Sequence, residues 1–467
     1  MTLRRSLGIV CVVALAHGLF FIWYQRTDWS RQWSDQDGYR RLGQVLAETG
    51  KFTRFPDAPA FVPEVLRTPA YPLFVAALYK VFSVHQLSVA IPQTIVFMAI
   101  CLIVYAMARR IAPEPVAVAA SAVTALFPPI PYFGALVMTE VWTTLLFTLS
   151  MWASLSALSD RGFARFAWLG ALLAIATLSR PVFVLFPFAI AAVGLVLFPL
   201  LGVRERPGVA QWSVMLAVFA VTMMPWFAYN YSTLGRFTLS PAGGVGRGLW
   251  EGSWQATWSG RLQNELTHLA DDIDDRAELD RRVTAVAARE RLAAGPMLEY
   301  VHQWEDIRLV WTTPADPYQR AIARMKADEE YGRVGLENIR RDRPAHLIAR
   351  LARGLFVLWA GEIPFRYSEI NNLSPVIIRA CWAVQAVLFL LALWGGYGLI
   401  RAGRVAEGLI LLAPMAYISA VHLPLLTEAR QSLPAQPVVL LLATIGIARL
   451  SGHSLALEPQ VHERQDL

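Results

Sequence analysis

Asp35 and Asp37 stand in the run Trp33-Ser34-Asp35-Gln36-Asp37-Gly38-Tyr39, directly after an apolar stretch long enough to span a bilayer. A carboxylate at the water edge of a low-dielectric cavity can take a proton from an acceptor hydroxyl or amine, which is general-base work. Ser34, Asp35 and Asp37 also suit the N-cap of the helix whose period follows in Leu42, Val45, Leu46 and Phe52. The chemical reading is stronger for Asp35 than for Asp37. Further on, Arg67-Thr68-Pro69-Ala70-Tyr71-Pro72 has two prolines that fix the backbone and an arginine ahead of a short helix with free N-terminal amides. Such a place suits a phosphate, and a guanidinium makes the bidentate contacts that phosphate favours. Non-specific lipid-headgroup anchoring is the alternative.

Other charged residues sit at the ends of apolar stretches. Glu140, in Met138-Thr139-Glu140-Val141-Trp142, opens a helix after the turn Phe127-Pro128-Pro129-Ile130-Pro131. It either complements the helix dipole or faces the cavity of Asp35 as a second carboxylate or metal ligand. Arg180, in Ser179-Arg180-Pro181, either snorkels or pairs with a carboxylate or phosphate. Glu428-Ala429-Arg430-Gln431 places Arg430 at the head of a helix that re-enters the bilayer, another natural phosphate site. His422 reads as a satisfied polar residue. Asn230, Tyr231 and Trp250-Glu251-Gly252-Ser253-Trp254 read as aromatic-girdle positions where the chain leaves the membrane.

The elements that must position these residues are membrane helices. With 55% hydrophobic and 16% charged residues over 467 positions, and a mean hydropathy of +0.42, the chain is an all-α polytopic membrane protein. Cys11, Cys101 and Cys381 lie in apolar runs at unrelated spacings, which offers neither a disulfide framework nor a metal knuckle. The net charge of +7 does not point to nucleic acid, because the arginines fall in short clusters between apolar segments and act as topology signals. Residues 7–24 follow Arg4-Arg5 without a small-residue cleavage site, so they are expected to stay as a first helix.

Spanning-length stretches predict about ten transmembrane helices, at 6–25, 86–108, 114–132, 138–158, 165–180, 181–202, 211–230, 375–400, 405–425 and 433–450. Arg4/Arg5, Arg109/Arg110, Arg161/Arg165, Arg204/Arg206, Arg401/Arg404 and Arg449 then fall on one side, which makes both termini cytoplasmic. The expected organisation is an N-terminal transmembrane module (1–230) with a catalytic first loop (26–85), a charged helical domain on the far face (231–374), C-terminal transmembrane helices (375–450) and a cytoplasmic tail (451–467). Within it, residues 70–82 and 346–359 are apolar or amphipathic helices suited to lying at the interface.

Taken in order, these motifs resemble a family. The acid-rich loop with Tyr39, Arg67-Thr68-Pro69-Ala70-Tyr71-Pro72, Thr139-Glu140, Ser179-Arg180-Pro181, the Pro225, Trp226 and Asn230 pattern, and the late Glu428-Ala429-Arg430 with Pro434 are similar to bacterial GT-C glycosyltransferases. The narrower likeness is to the protein-mannosyltransferase and lipid A aminoarabinose transferase group, of the glycosyltransferase family 39 kind. It runs over essentially the whole chain and rests on the order of the motifs rather than on any one.

The resemblance implies a GT-C-like fold in the bacterial inner membrane. It also implies inverting transfer of a sugar, hexosyl or pentosyl, from a polyprenyl-phosphate carrier, undecaprenyl in bacteria, to an acceptor on the periplasmic face. That acceptor is a lipid, glycan or protein. The family's base stands four residues before the tyrosine, which selects Asp35; Asp37 and Glu140 complete the candidate catalytic set. Tyr39, Arg67, Tyr71, Arg180, Glu428 and Arg430 form the candidate substrate-binding set, with Arg67, Arg180 and Arg430 near the carrier phosphate. Arg430-Gln431 departs from the Arg-Tyr common in relatives. No cofactor is called for, and a divalent cation acting through Asp35 and Glu140 stays open. Bottom-up chemistry agrees with one base, since the leaving phosphate already carries its charge and arginines neutralise what develops; a paired-carboxylate mechanism is needed only for retention.

A transporter or flippase for a lipid-linked or anionic substrate is the competing class. It predicts mid-membrane charges, broken helices and inverted repeats, whereas here the charges gather at one face and the mid-span segments stay apolar. A scaffold would leave the Asp35 and Arg67 loops without a task.

Overall fold

The computed structural model describes residues 3–26, 34–361 and 373–452. Trp33 of the acid motif, residues 362–372 of the 231–374 unit and all of the tail beyond Gly452 lie outside the described residues. Among the described residues no strand forms. The chain opens with α1 (Leu3–Gln25), then α2 (Ser34–Thr49), α3 (Ala70–Val81), α4 (Leu87–Ala108), α5 (Glu114–Ala125), α6 (Pro129–Gly134), α7 (Glu140–Ser159) and α8 (Phe163–Ser179). The continuous helical span α9 (Pro181–Leu200) and α10 (Val209–Leu234) follow. A more polar group comprises α11 (Val245–Trp254), α12 (Gly260–Asp272), α13 (Arg276–Glu290), α14 (Ala294–Thr312) and α15 (Pro317–Arg341), after which come α16 (Pro344–Phe356) and α17 (Pro375–Arg401). The last two spans are α18 (Val405–His422) and α19 (Ala429–Leu450).

Among the described residues eight helices are long and apolar enough to cross a membrane: α1, α4, α7, α9, α10, α17, α18 and α19. Of the apolar window of α19, 83% is buried, against 6% for α17, so α19 is the central helix of the bundle and α17 presents its sides to lipid. The predicted spans at 114–132 and 165–180 correspond to the shorter α5 and α8, of 12 and 17 residues. The first is cut short for a local reason. Pro128, Pro129 and Pro131 cannot supply the amides that a continuing helix needs, and the chain turns into α6, whose residues are all buried.

The basic turns meet at one end of the bundle. Arg404 donates to the Arg110 carbonyl at 2.8 Å, Arg110 to the Ser159 hydroxyl at 3.5 Å, and Arg161 pairs with Glu205 at 2.5 Å. The acid motif lies at the other end, where the starts of α2, α7 and α19 converge.

Two helices have the faces expected of interfacial elements. α3 packs Tyr71, Val75 and Tyr79 inward and leaves Leu73 and Val81 exposed; α16 exposes Leu347, Ile348, Leu351 and Leu355. Helices α11 to α15 enclose a core of their own, centred on Trp250, Trp254, Leu266, Val283, Tyr300 and Trp304. Trp250 and Trp254 are therefore not girdle residues. Trp250 is fully buried and stacks on Tyr300 with ring centroids 5.0 Å apart, because a polar helical module needs large apolar anchors inside it. Helix α11 crosses α15 so closely that a Cβ on Gly246 would collide with the Asp328 carbonyl, and one on Gly335 with the Trp250 backbone.

Candidate active site

The site is assembled from the first turns of helices and the loop between α2 and α3. Asp35 lies in the first turn of α2, where a carboxylate offsets the helix dipole. Its side chain is 55% exposed, and its oxygens stand 3.5 Å from Arg430 and 3.9 Å from Arg67. Arg430 is the hub: it also pairs with Glu428 at 2.8 Å and lies 3.9 Å from Glu140. Glu140 opens α7, is only 2% exposed, and has one carboxylate oxygen with no hydrogen-bond partner among the described residues. Asp37 behaves differently, pairing with Arg40 one turn along α2 at 3.6 Å and with no site arginine.

Arg67 is held by geometry that the sequence does not announce. Its guanidinium lies 4.7 Å over the Tyr39 ring, donates to the Asp35 carbonyl at 3.3 Å and sits 3.9 Å from Glu64. It can lie against α2 only because residue 38 is glycine; a Cβ there would collide with the guanidinium. Glu64, itself buried, receives Arg54 at 2.5 Å and the Leu66 amide at 2.9 Å, so it ties the loop into a fixed shape. Burial pushes the Tyr39 phenol up to about 12; Arg67 opposes this, Asp35 and Glu140 add to it, and Arg180 opposes it. Tyr39 thus remains a protonated donor at neutral pH. Arg180 is close enough to act on that phenol, and one of its guanidinium nitrogens is buried without a partner among the described residues.

Tyr71 has a supporting position instead of a cavity-facing one. It is fully buried, meets Tyr39 edge to face at 5.1 Å and donates its hydroxyl to Gln93. Gln93 in turn donates to the carbonyls of Gly134 and Leu136 at 2.9 and 2.7 Å. Gln36 accepts from the Val137 amide at 3.0 Å and from Gln86 at 3.2 Å. These buried glutamines lock the turn before Glu140 onto the turn that carries Asp35. Gln93 stands inside an apolar helix and has no spacing signature, while Gln36 and Gln86 show their role only through the partners that folding brings to them.

The Trp226 and Asn230 motif is likewise a positioning device. Trp226 donates to the Leu239 carbonyl and Asn230 to that of Thr238, at 2.7 and 2.6 Å. The segment beyond α10 is strapped to the Arg67 loop by Ala242 donating to Val65 at 2.8 Å and Ser240 to Leu66 at 3.1 Å.

A cavity of about 660 Å³ opens from this edge toward the helical module. Asp35, Tyr39, Arg54 and Arg67 line it on one side; Arg247, Trp304, Arg308, Trp311, Arg324, Asp328 and Tyr331 line it on the other. Among the described residues no group of three or more His, Cys, Asp or Glu side chains is placed to hold a metal ion, and the Asp35 and Glu140 carboxylates converge on Arg430. The arrangement can accept a proton at Asp35 and neutralise an anion at Arg67, Arg430 and Arg180.

Residues 66–229 match the family model described as dolichyl-phosphate-mannose-protein mannosyltransferase, a stretch that includes Arg67, Glu140 and Arg180. No curated protein matches the sequence. Among solved structures, the oligosaccharyltransferase AglB from Archaeoglobus fulgidus, in complex with an inhibitory peptide and a dolichol-phosphate, superposes with a TM-score of 0.56. The identity is 14%, over 96% of this chain and 50% of that one. The apo form of the Archaeoglobus fulgidus enzyme gives a TM-score of 0.53 at 15% identity, again over 96% and 50%. ArnT from Cupriavidus metallidurans bound to undecaprenyl phosphate gives 0.40 at 14% identity, over 94% and 78%. The chain spans about half the length of the archaeal enzyme that it matches, and the likeness to it is one of fold.

Proposed function

We propose that this polytopic membrane protein of GT-C-type fold, with its protein-mannosyltransferase-like residues 66–229, is an inverting glycosyltransferase that uses a polyprenyl-phosphate sugar. The observation that carries the reading is the placement of the exposed Asp35 carboxylate between Arg430 and Arg67 at the mouth of the cavity. In the absence of substrate the arginines neutralise carboxylates. A carrier phosphate entering from the membrane edge competes for the same guanidinium donors and frees Asp35 to act as a base.

The acceptor oxygen or nitrogen then attacks the anomeric carbon on the face opposite the phosphate. The bond from that carbon to the phosphate oxygen breaks, its electron pair leaves with the carrier phosphate, and the acceptor proton passes to Asp35. Arg67 and Arg430 bear the charge gathering on the leaving group, with Arg180 behind Tyr39 as a further cation. One base and a pre-charged leaving group suffice for inversion, in keeping with Asp35 as the cavity carboxylate that stands between Arg67 and Arg430.

The gathering of basic turns at the opposite end supports an orientation in the bacterial inner membrane with the site toward the periplasm. The donor is then undecaprenyl-phosphate-linked, and the acceptor is a lipid, glycan or protein at that face. The test is mass spectrometry of lipid-linked sugars and surface glycans in a deletion strain complemented with wild type or Asp35→Asn. One sugar should vanish on deletion and return with wild type only. Unchanged glycans in all strains would overturn the proposal.

A further inference from the structure

We propose that the cavity wall built by the helical module is a second anion site, formed by Arg324 with Arg54 and Arg247, and that it holds a phosphate or carboxylate of the acceptor. The word acceptor rests on the glycosyl-transfer reading; the anion site does not.

Arg324 differs from the other cavity arginines in having no ion-pair partner among the described residues. Among the described residues no carboxylate comes within 4.0 Å of it, whereas Arg54 has Glu64 at 2.5 Å and Arg247 has Glu251 at 2.9 Å. Burial first and the neighbouring Arg54 next lower its guanidinium to about 10, with Glu64 opposing them and Arg247 and Arg67 adding smaller contributions. It is still fully charged at neutral pH. A charged group partly withdrawn from water among like charges is unfavourable until an opposite charge arrives.

The wall also fixes how such an anion would be met. Arg324 lies 4.4 Å over the Trp311 ring and Arg247 lies 4.6 Å over Trp304. Stacking holds the plane of a guanidinium while its in-plane N–H groups stay available, the geometry suited to bidentate capture of phosphate or carboxylate. The acids nearby are committed elsewhere. Asp328 accepts the amides of Gly246 and Arg247 at 3.4 and 3.2 Å, capping α11, and Asp271 accepts Trp304 Nε1 at 2.9 Å. The close approach of Gly246 to α15 brings Arg247 and Arg324 to one cavity.

This wall is not the carrier site. Arg430 and Glu140, at the membrane edge, do not line the cavity, while Asp35 and Arg67 line it together with Arg324. A donor entering from the lipid and an acceptor held by the module would therefore meet at Asp35.

The test uses detergent-purified full-length protein saturated with undecaprenyl phosphate and titrated calorimetrically with inorganic phosphate and, separately, glucuronate. At least one probe should bind wild type, bind Arg324→Gln about tenfold or more weakly, and bind Arg324→Lys with intermediate affinity. Undecaprenyl phosphate should bind all three alike. The tighter probe distinguishes phosphate from carboxylate. The proposal is overturned if neither probe binds the carrier-saturated wild type, or if Arg324→Gln loses carrier affinity in place of probe affinity. A wild type that never binds undecaprenyl phosphate but binds a probe through Arg324 removes the glycosyl-transfer reading and supports the anion site. Should Arg324→Gln fail to fold, Trp311→Leu removes the stacking floor and keeps the charge, with the same loss of probe affinity expected.

Discussion

Arg430 sits at the end of the bundle where the starts of α2, α7 and α19 meet, Arg324 sits on the module wall of the cavity, and their surroundings are opposite. Arg430 is crowded by carboxylates, with Glu428, Asp35 and Glu140 all within 4 Å. Arg324 is crowded by cations and rests on an indole. A cation already neutralised by acids can exchange them for a phosphate with little change in net charge, and it releases a base in doing so. A cation without a counter-ion gains most from an anion that stays. On the proposed glycosyl-transfer reading, the membrane edge suits charge that moves during a reaction, and the module wall suits charge that is fixed on a substrate.

Removing the hub breaks the first half of that comparison most severely. Arg430→Gln leaves Asp35, Glu140 and Glu428 without their common partner and should lower transfer by about 10²- to 10³-fold, read as sugar incorporation in complemented cells. A loss smaller than tenfold would show that Arg67 alone carries the phosphate. Gly38→Ala sharpens the same point without touching a charge. The added Cβ displaces the Arg67 guanidinium, and affinity for undecaprenyl phosphate should fall about tenfold with Asp35 intact, measured by native mass spectrometry. Equal affinity would return Arg67 to a purely structural role.

On the module side, Gly246→Ala forces α11 away from α15 and should destabilise the protein by about 1–3 kcal/mol, followed by tryptophan fluorescence during denaturation. An unchanged midpoint would mean that the helix pair adjusts and the glycine contact is not what joins Arg247 to Arg324. The smallest effect is expected from Asp37→Asn. Its pairing with Arg40 is half exposed, of the kind that contributes about 0–1 kcal/mol, so activity should stay within about twofold of wild type. A loss comparable with that of Asp35→Asn would move the base two residues along α2.

The membrane class, the helical fold and most spans were readable from the sequence, because hydropathy over some twenty residues is a local property and the bilayer imposes its length on each segment separately. Pro128, Pro129 and Pro131 were visible too, yet their effect on the 114–132 span depends on α6 finding a buried place, which hydropathy does not report. Asp35, Arg67 and Arg430 could be named from their loops. Their meeting could not, since Asp35 and Arg430 stand 395 positions apart and nothing local links them.

Glu64 and Gln93 had no motif at all, and Gln36 and Gly38 stand in the acid motif without a sign of their role; each matters only through the partner that folding brings to it. The same holds for Arg324, one arginine among many in a charged helix until Trp311, Arg54 and Arg247 surround it. What the chain determined by itself was which of its segments are long and apolar enough to cross a membrane. Which charges face one another was decided only by tertiary structure, because pairing energies act over a few ångströms and those distances exist only after the helices have packed.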